Sequence, residues 1–460
     1  MSDSTNRLCH SVSRRRFFFE ASGGFLGLSL GALFAEGASP RPGLPKPRAK
    51  SVIFLFMCGG VSHIDTFDPK DNKWAGTFID ATGFGDNNAE MRRPVIPCHR
   101  TFTRYGKSGI PLSDWFPQIG SVIDDIAVVR SMYCKESNHF PAAIECCTGH
   151  QGRQFDHPTL GSWITHALGT GNKNLPAFVN IGRASSPVQL SGGYLGASVS
   201  ATPFQPGSEP VPNLQPPRGT SRSERDHQMQ ALDDLNREFR EYHGINSEIA
   251  ARARSYELAA RMQMAAPDAV DFSKEPRHVL DLYGIDTPET DEFGRQMLLA
   301  RRLVERGVRF IQVCHAGGGN GAWDAHGDIR TQGPLCKATD KPIAGLIRDL
   351  KQRGMLDETL IVWTSEFGRT PWSQNTTGRD HNPRGFTSWL AGGGVKGGVI
   401  HGATDHVGYR AVEKPQYISD LHATILRQVG LGTQDMEVKV LGRPVRLVEE
   451  SYGPIEEILK

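Results

Sequence analysis

Histidines and carboxylates recur just after short apolar runs along this chain: Asp65, Asp68, His139, His315, Asp324, His326, Glu366, Asp380 and His381. Mixed imidazole and carboxylate donors make zinc, manganese or iron sites without any need for sulfur. The densest stretch is Ser365-Glu366-Phe367-Gly368-Arg369-Thr370-Pro371, followed by Gly378-Arg379-Asp380-His381; Trp323-Asp324-Ala325-His326-Gly327-Asp328 is a second. Carboxylates gathered this closely repel one another, and burying them unpaired is costly, so a cation or several arginines must compensate. Two readings follow. Arg369, Arg379 and Arg384 neutralise the carboxylates, or a divalent cation does. Imidazoles favour the cation, because His326 and His381 add little to an arginine–carboxylate lattice and suit a transition metal.

For these residues to meet, the apolar runs must lie side by side and end on one edge. Ser51–Met57, Ile126–Arg130, Ala177–Ile181, Val308–Cys314, Leu360–Thr364 and Phe386–Leu390 read as strands, several of them apolar throughout, as in a sheet buried on both faces. Helical patterns lie between them: Ala142–Thr148, with Pro141 before and Gly149 after, then Leu160–Leu168, Arg295–Arg306, Ile343–Gln352 and His422–Val429. This alternation predicts a mainly parallel α/β sheet with 51–57, 308–314 and 360–364 near its centre. Ligands of such sheets bind beyond the carboxyl ends of the strands. His139 falls at a helix N-terminus, a place suited to an anion. His150, His157 and His166 show no ligand spacing and read as core or solvated side chains.

The remaining segments bound the fold. Ser13-Arg14-Arg15-Arg16-Phe17-Phe18, a weakly apolar run over 21–35 and Ala38-Ser39-Pro40 form a twin-arginine export pattern. Residues 1–38 are read as that signal, 39–50 as a linker and 51–460 as one domain. Within the domain, 184–220 is rich in Pro, Gly and Ser and reads as a surface loop. Residues 221–265 are charged and helical in period (Leu232, Leu235, Phe239, Tyr242), a peripheral helical excursion. Loss of residues 1–38 removes four Arg and three acidic residues, taking the net charge from +2 to +1, which gives nucleic acid no electrostatic footing. Of eight Cys, Cys9 leaves with the signal; the other seven contain no CxxC pair and so no zinc ribbon.

Gly59-Gly60-Val61-Ser62-His63-Ile64-Asp65-Thr66-Phe67-Asp68-Pro69-Lys70, the two stretches quoted first, Trp389-Leu390-Ala391-Gly392-Gly393-Gly394 and His401-Gly402-Ala403-Thr404-Asp405 together resemble an exported, sulfatase-like bacterial family, domain-of-unknown-function family 1501. The resemblance spans nearly all of 50–455. It implies an alkaline-phosphatase-like α/β/α sandwich whose relatives hydrolyse phosphate and sulfate esters at a site with one or two metals. His139, followed by Pro141, Ala142-Ala143 and Thr148-Gly149, stands where sulfatases carry their nucleophile. Thr364-Ser365-Glu366-Phe367-Gly368 stands where they carry Thr-Ser-Asp-His-Gly, and Cys58-Gly59 where an acidic residue is expected.

The sequence thus leads to an exported, metal-dependent hydrolase of sulfate or phosphate esters, lying in the periplasm or cell envelope, that lacks the usual side-chain nucleophile. His139 and Glu366 are its candidate catalytic residues, and Asp65, His315, Asp324, His326, Glu366, Asp380 and His381 its candidate metal ligands. The cofactor is a divalent metal: zinc, manganese, iron or calcium. The expected partners are a small-molecule or glycan-linked anionic ester and, during export, the twin-arginine translocase. The competing reading is a non-catalytic envelope protein that keeps the fold with a degenerate site.

Overall fold

Strand β1 (Ser51–Met57) is buried along its whole length and feeds two cores. Ile53, Leu55 and Met57 point into one; Val52, Phe54 and Phe56 point into the other, as the two-residue period of a strand requires. The computed structural model describes residues 45–82, 90–152, 156–207, 209–212, 214, 247–373 and 377–460, with scattered positions between 223 and 238. The other sheet strands are β2 (Ile126–Tyr133), β3 (Phe178–Gly182), β4 (Thr202–Phe204), β5 (Phe310–His315), β6 (Thr359–Thr364), β7 (Phe386–Gly392), β8 (Val399–His401) and β9 (Gln416–Tyr417). They form one nine-stranded sheet in the order β8–β2–β7–β6–β1–β5–β3–β4, with β9 paired to β2. All pairings are parallel except those of β7, which runs antiparallel to β2 and β6. Trp363 of β6 lies opposite Trp389 of β7, and their rings stack at 6.0 Å.

Helices cover both faces. On the first lie α3 (Ser247–Val270), α4 (Asp291–Glu305) and α5 (Gln332–Gln352), which contribute Ala266, Leu298 and Ile343 to the core. On the second lie α1 (His139–Thr148), α2 (Leu160–Leu168) and α6 (Ile418–Gln428), through Ala142, Trp163 and Leu421. The result is a three-layer α/β/α architecture with a mainly parallel sheet, as expected. The order β6–β1–β5 puts the three central strands where the apolar runs place them. In register, Phe56 faces Thr364 on one side and Cys314 on the other, so the carboxyl ends of all three open at one edge.

Two expectations need adjustment. The charged helical stretch 221–265 is expected at the periphery, yet Met262 within it is buried in the first core, as are Ala266 and Ala269 further along α3. Their spacing of four and three residues makes a narrow apolar stripe that the surrounding charges obscure. The first part of that stretch lies largely outside the described residues. Within the 184–220 loop, Thr202–Phe204 forms the edge strand β4, too short to show a pattern and interrupted by Pro203, which an edge position tolerates. The export segment also lies outside the described residues, none of which form a helix long and apolar enough to cross a membrane. The seven described cysteines are free and buried.

Candidate metal centre

The loops leaving β1, β5 and β6 are held together by backbone contacts. Gly59 adopts φ 119°, and a Cβ there would lie 2.6 Å from the Asp324 amide nitrogen, so the site requires glycine. Cys58 carbonyl accepts the Trp323 N–H at 3.1 Å. The buried Gln332 side chain ties the same loops, donating to the Gly60 and Trp323 carbonyls and accepting the Ser62 N–H. Glu366 ends the run after β6, and its Oε1 accepts the Gly59 N–H at 2.8 Å. His139 opens α1, which terminates at Gly149 in the left-handed region. The loop before His139 is fixed from inside that helix: buried Glu145 accepts the N–H groups of Lys135 and Glu136 and the Tyr417 hydroxyl. His381 sits on a two-residue antiparallel ladder with Gly368–Arg369.

These elements bring His139, Asp324, His326 and His381 together, with one potential ligand atom from each within 4.8 Å of all the others. Asp324 Oδ1 lies 3.1 Å from His326 Nε2 and 3.5 Å from His381 Nε2, and its Oδ2 lies 3.2 Å from His139 Nε2. His326 Nε2 and His381 Nε2 are 2.8 Å apart. Tetrahedral zinc with ~2.0–2.1 Å bonds sets its ligand atoms about 3.3 Å apart, and the Asp324–imidazole separations of 3.1–3.5 Å are close to that edge. Outer contacts turn the rings toward its centre. His381 Nδ1 is 2.7 Å from the Ser137 carbonyl, which can only accept, so Nδ1 carries the proton and Nε2 presents its lone pair inward. His139 Nδ1 is held at 2.8 Å by Glu366 Oε1, which turns its buried Nε2 toward Asp324 Oδ2. A carboxylate or carbonyl behind each ligating imidazole is the usual support for a metal-binding histidine.

The electrostatics follow from crowding. Burial opposes ionisation of Asp324, but the three imidazoles and the Arg369 guanidinium outweigh it and hold the carboxyl far below the usual range. Burial pushes His381 down to about 4, aided by Arg369 and the neighbouring rings. It pushes His139 the same way, yet hydrogen bonds to Asp324 and Glu366 prevail and raise it. Arg369 is completely buried; it donates to Asp324 Oδ1 at 2.8 Å and to the Gly59 and Gly60 carbonyls.

Of the residues singled out in the sequence, Asp324, His326, His381 and His139 share the cage. Glu366 stands behind His139 as its hydrogen-bond acceptor. Asp380 Oδ1 accepts the His381 N–H at 2.7 Å and lies 3.7 Å from His326 Nδ1, beside the cage rather than in it. Asp65 is instead bound to Arg379 Nε at 2.6 Å and to Ser62. His315 Nδ1 accepts the Trp323 indole N–H at 3.0 Å, and its ring packs edge-on against Phe293. Asp68 pairs with Lys70 and Thr404. Both Asp65 and His315 are satisfied by neighbours that sequence spacing does not reveal. The supporting groups absent from the sequence reading are Gln332 and the Ser137 carbonyl; the first carries no motif and the second no side chain at all.

A three-layer α/β protein with a three-histidine, one-aspartate cage at its strand ends is therefore defined. The chain belongs to a protein family of unknown function, DUF1501, whose model matches residues 49–459. A search among curated proteins finds no match. Similar solved structures include the PsFucS1 sulfatase from Pseudoalteromonas sp. (13% identity, 89% of this chain and 72% of that one, TM-score 0.35). They also include the lipoteichoic acid synthase LtaP from Listeria monocytogenes (8%, 93% and 80%, 0.33) and the alkaline phosphatase of the Antarctic bacterium TAB5 (10%, 76% and 92%, 0.31). Scores this low assign no residue and no activity.

Proposed function

We propose that the protein is a metal-dependent hydrolase of an anionic ester, phosphate or sulfate, with His139, Asp324, His326 and His381 holding the metal. The observation that carries this reading is the proximity of their four ligand atoms, all within 4.8 Å of one another, with the buried His139 Nε2 facing Asp324 Oδ2 at 3.2 Å. Three imidazoles and one carboxylate suit zinc, iron or manganese better than calcium, which takes oxygen ligands. Such an ion supplies electrophilic stabilisation of the ester and makes water more acidic.

The chain's own residues then have distinct tasks. Glu366 and the Ser137 carbonyl fix two ring orientations, and Arg369 offsets the charge of Asp324. His139 and Glu366 close the buried side, whereas His326 keeps 29% of its side-chain surface and marks the open side where an ester enters. Both nitrogens of His139 face carboxylates, which removes it as an attacking nucleophile and leaves water in that role. Asn320 Nδ2, 3.4 Å from Asp324 Oδ2 on the exposed lip, is placed to donate to an ester oxygen.

The test is elemental analysis of the purified protein, with hydrolysis of p-nitrophenyl phosphate and p-nitrophenyl sulfate after loading with zinc, manganese or iron. The expected result is about one bound ion and activity lost in His381→Ala. Protein that binds no metal and cleaves neither ester overturns the reading. Export by the twin-arginine route belongs to the same proposal; Arg14→Lys with Arg15→Lys should strand the protein in the cytoplasm, and normal export of that variant refutes it.

A further inference from the structure

The loop that carries Asp324 has a second neighbour. A cavity of about 490 Å³ opens beyond the carboxyl ends of β3 and β4, between Gly182, Arg183 and Phe204 on one side and Glu292 and Gln296 of α4 on the other. That volume lies within the roughly 300–1,000 Å³ of small-molecule sites. The segment 316–321, just ahead of Asp324, packs against Arg183 of the cavity lining. On the cavity side, a Cβ on Gly317 would lie 1.7 Å from the Arg183 carbonyl oxygen, and the Arg183 guanidinium rests on Gly318. On the cage side, a Cβ on Gly321 would lie 2.1 Å from the Cys58 carbonyl oxygen, next to Gly59 and Asp324. One loop thus touches both a cavity residue and the backbone beside the cage.

The cavity's polar groups are not all used by the protein. Asp291 and Arg295 consume each other, with Asp286 as a further partner of Arg295. Gln296 is only 9% exposed, and its Oε1 is buried with no hydrogen-bond partner. A native structure rarely leaves a buried amide unpaired unless water or a ligand completes it. Glu292 and Arg183 have no ion-pair partner among the described residues. The available groups are therefore one amide that donates and accepts, one carboxylate that accepts and one guanidinium that donates. Their charges cancel. Pro203, Pro206 and Phe204 add apolar wall. A neutral ligand that donates and accepts at several points and offers C–H faces between them is a polyhydroxylated ring.

We propose that this cavity is a sugar subsite, which seats the hydroxylated alcohol portion of an ester whose anionic group reaches the cage. The link to the cage rests on the hydrolase reading; the binding of a sugar does not. Arg183, whose guanidinium rests on Gly318 of the loop that leads to Asp324, is placed to contact ligand on the side nearest that loop.

The test is saturation-transfer NMR with the methyl α- and β-pyranosides of glucose, galactose and mannose. At least one should receive saturation from the wild-type protein at millimolar concentration, and equally from His381→Ala, which lacks the cage. Gln296→Leu, which replaces the unpaired amide by an apolar side chain, should weaken that binding by about tenfold while the melting temperature holds or rises. Because a buried substitution can disturb packing, exposed Glu292→Ala serves as the second variant and should also weaken binding. No transfer to any of the six sugars, or binding unchanged in both variants, overturns the proposal. Sugar binding without metal uptake or ester hydrolysis would leave the subsite standing and remove the hydrolase reading, so the two failures are distinct.

Discussion

Asp65 and Asp324 are carboxylates in loops beyond the same sheet edge, the first buried and the second half-buried, each touched by a completely buried arginine, and they have opposite characters. Asp65 is matched one to one: Arg379 Nε sits at 2.6 Å and Ser62 Oγ at 2.5 Å, and these outweigh the burial that would raise its pKa and lower it instead. Asp324 has Arg369 at 2.8 Å and also three imidazole nitrogens between 3.1 and 3.5 Å. An arginine and a hydroxyl suffice for the first. At the second the arginine is already in place and the imidazoles remain, two of them 2.8 Å apart nitrogen to nitrogen. The difference teaches where an arginine–carboxylate lattice ends and a cation cage begins.

The largest effect should come from breaking the closed pair. Arg379→Met leaves Asp65 buried and unpaired, which should cost about 3–5 kcal/mol in urea denaturation, equally with and without zinc. A loss that zinc restores would show that Asp65 belongs to the cage after all. Acid should act on the same region. Burial holds His63 at about 4, despite the attraction of Asp68, while its unfolded value is near 6.5. The unfolded chain therefore binds a proton that the folded one refuses between these values, so stability is lost as pH falls from about 6.5 to about 4. The share of His63 is at most about 3 kcal/mol. Denaturation at several pH values should show a shallower slope for His63→Gln than for wild type; parallel curves would contradict it.

The cage should respond to metal instead. Zinc at about 100 times its dissociation constant should stabilise the wild type by about 2.7 kcal/mol, and Asp324→Ala should abolish that rise. A zinc-induced rise that survives in Asp324→Ala would place the ion elsewhere.

The same pair of aspartates shows what the sequence discloses. Continuous apolar runs such as Leu360–Thr364 identify the central strands, because a strand buried on both faces has no other composition. They also bring Asp324, His326 and His381 to one edge, since parallel strands share a direction. Which arginine reaches which carboxylate is a matter of loop geometry: Arg369 and Arg379, ten residues apart, go to different aspartates 259 positions apart (324 minus 65). His315 ends a strand like its neighbours, yet its ring turns to an indole in the loop it precedes. Strand-end position therefore signals which residues can reach the site, and only side-chain packing decides which do.

The smallest predicted effect separates the two kinds of carboxylate most sharply, because its two readouts have opposite signs. Glu366 Oε1 accepts from Gly59 and His139, but its Oε2 is buried with no partner. If Glu366 served the fold alone, as Asp65 does, Glu366→Gln would lower stability and leave metal binding unchanged. As the support behind a ligating imidazole it should do the reverse. The amide keeps the size and one acceptor oxygen while removing a buried charge, so metal-free stability should hold or rise. Losing the negative charge makes the His139 ring a weaker donor, and zinc affinity should fall about 10–100-fold. Competition against a chromophoric chelator measures the second quantity and metal-free urea denaturation the first. A destabilised variant with undiminished zinc affinity would assign Glu366 to the fold and leave His139 without its orienting group.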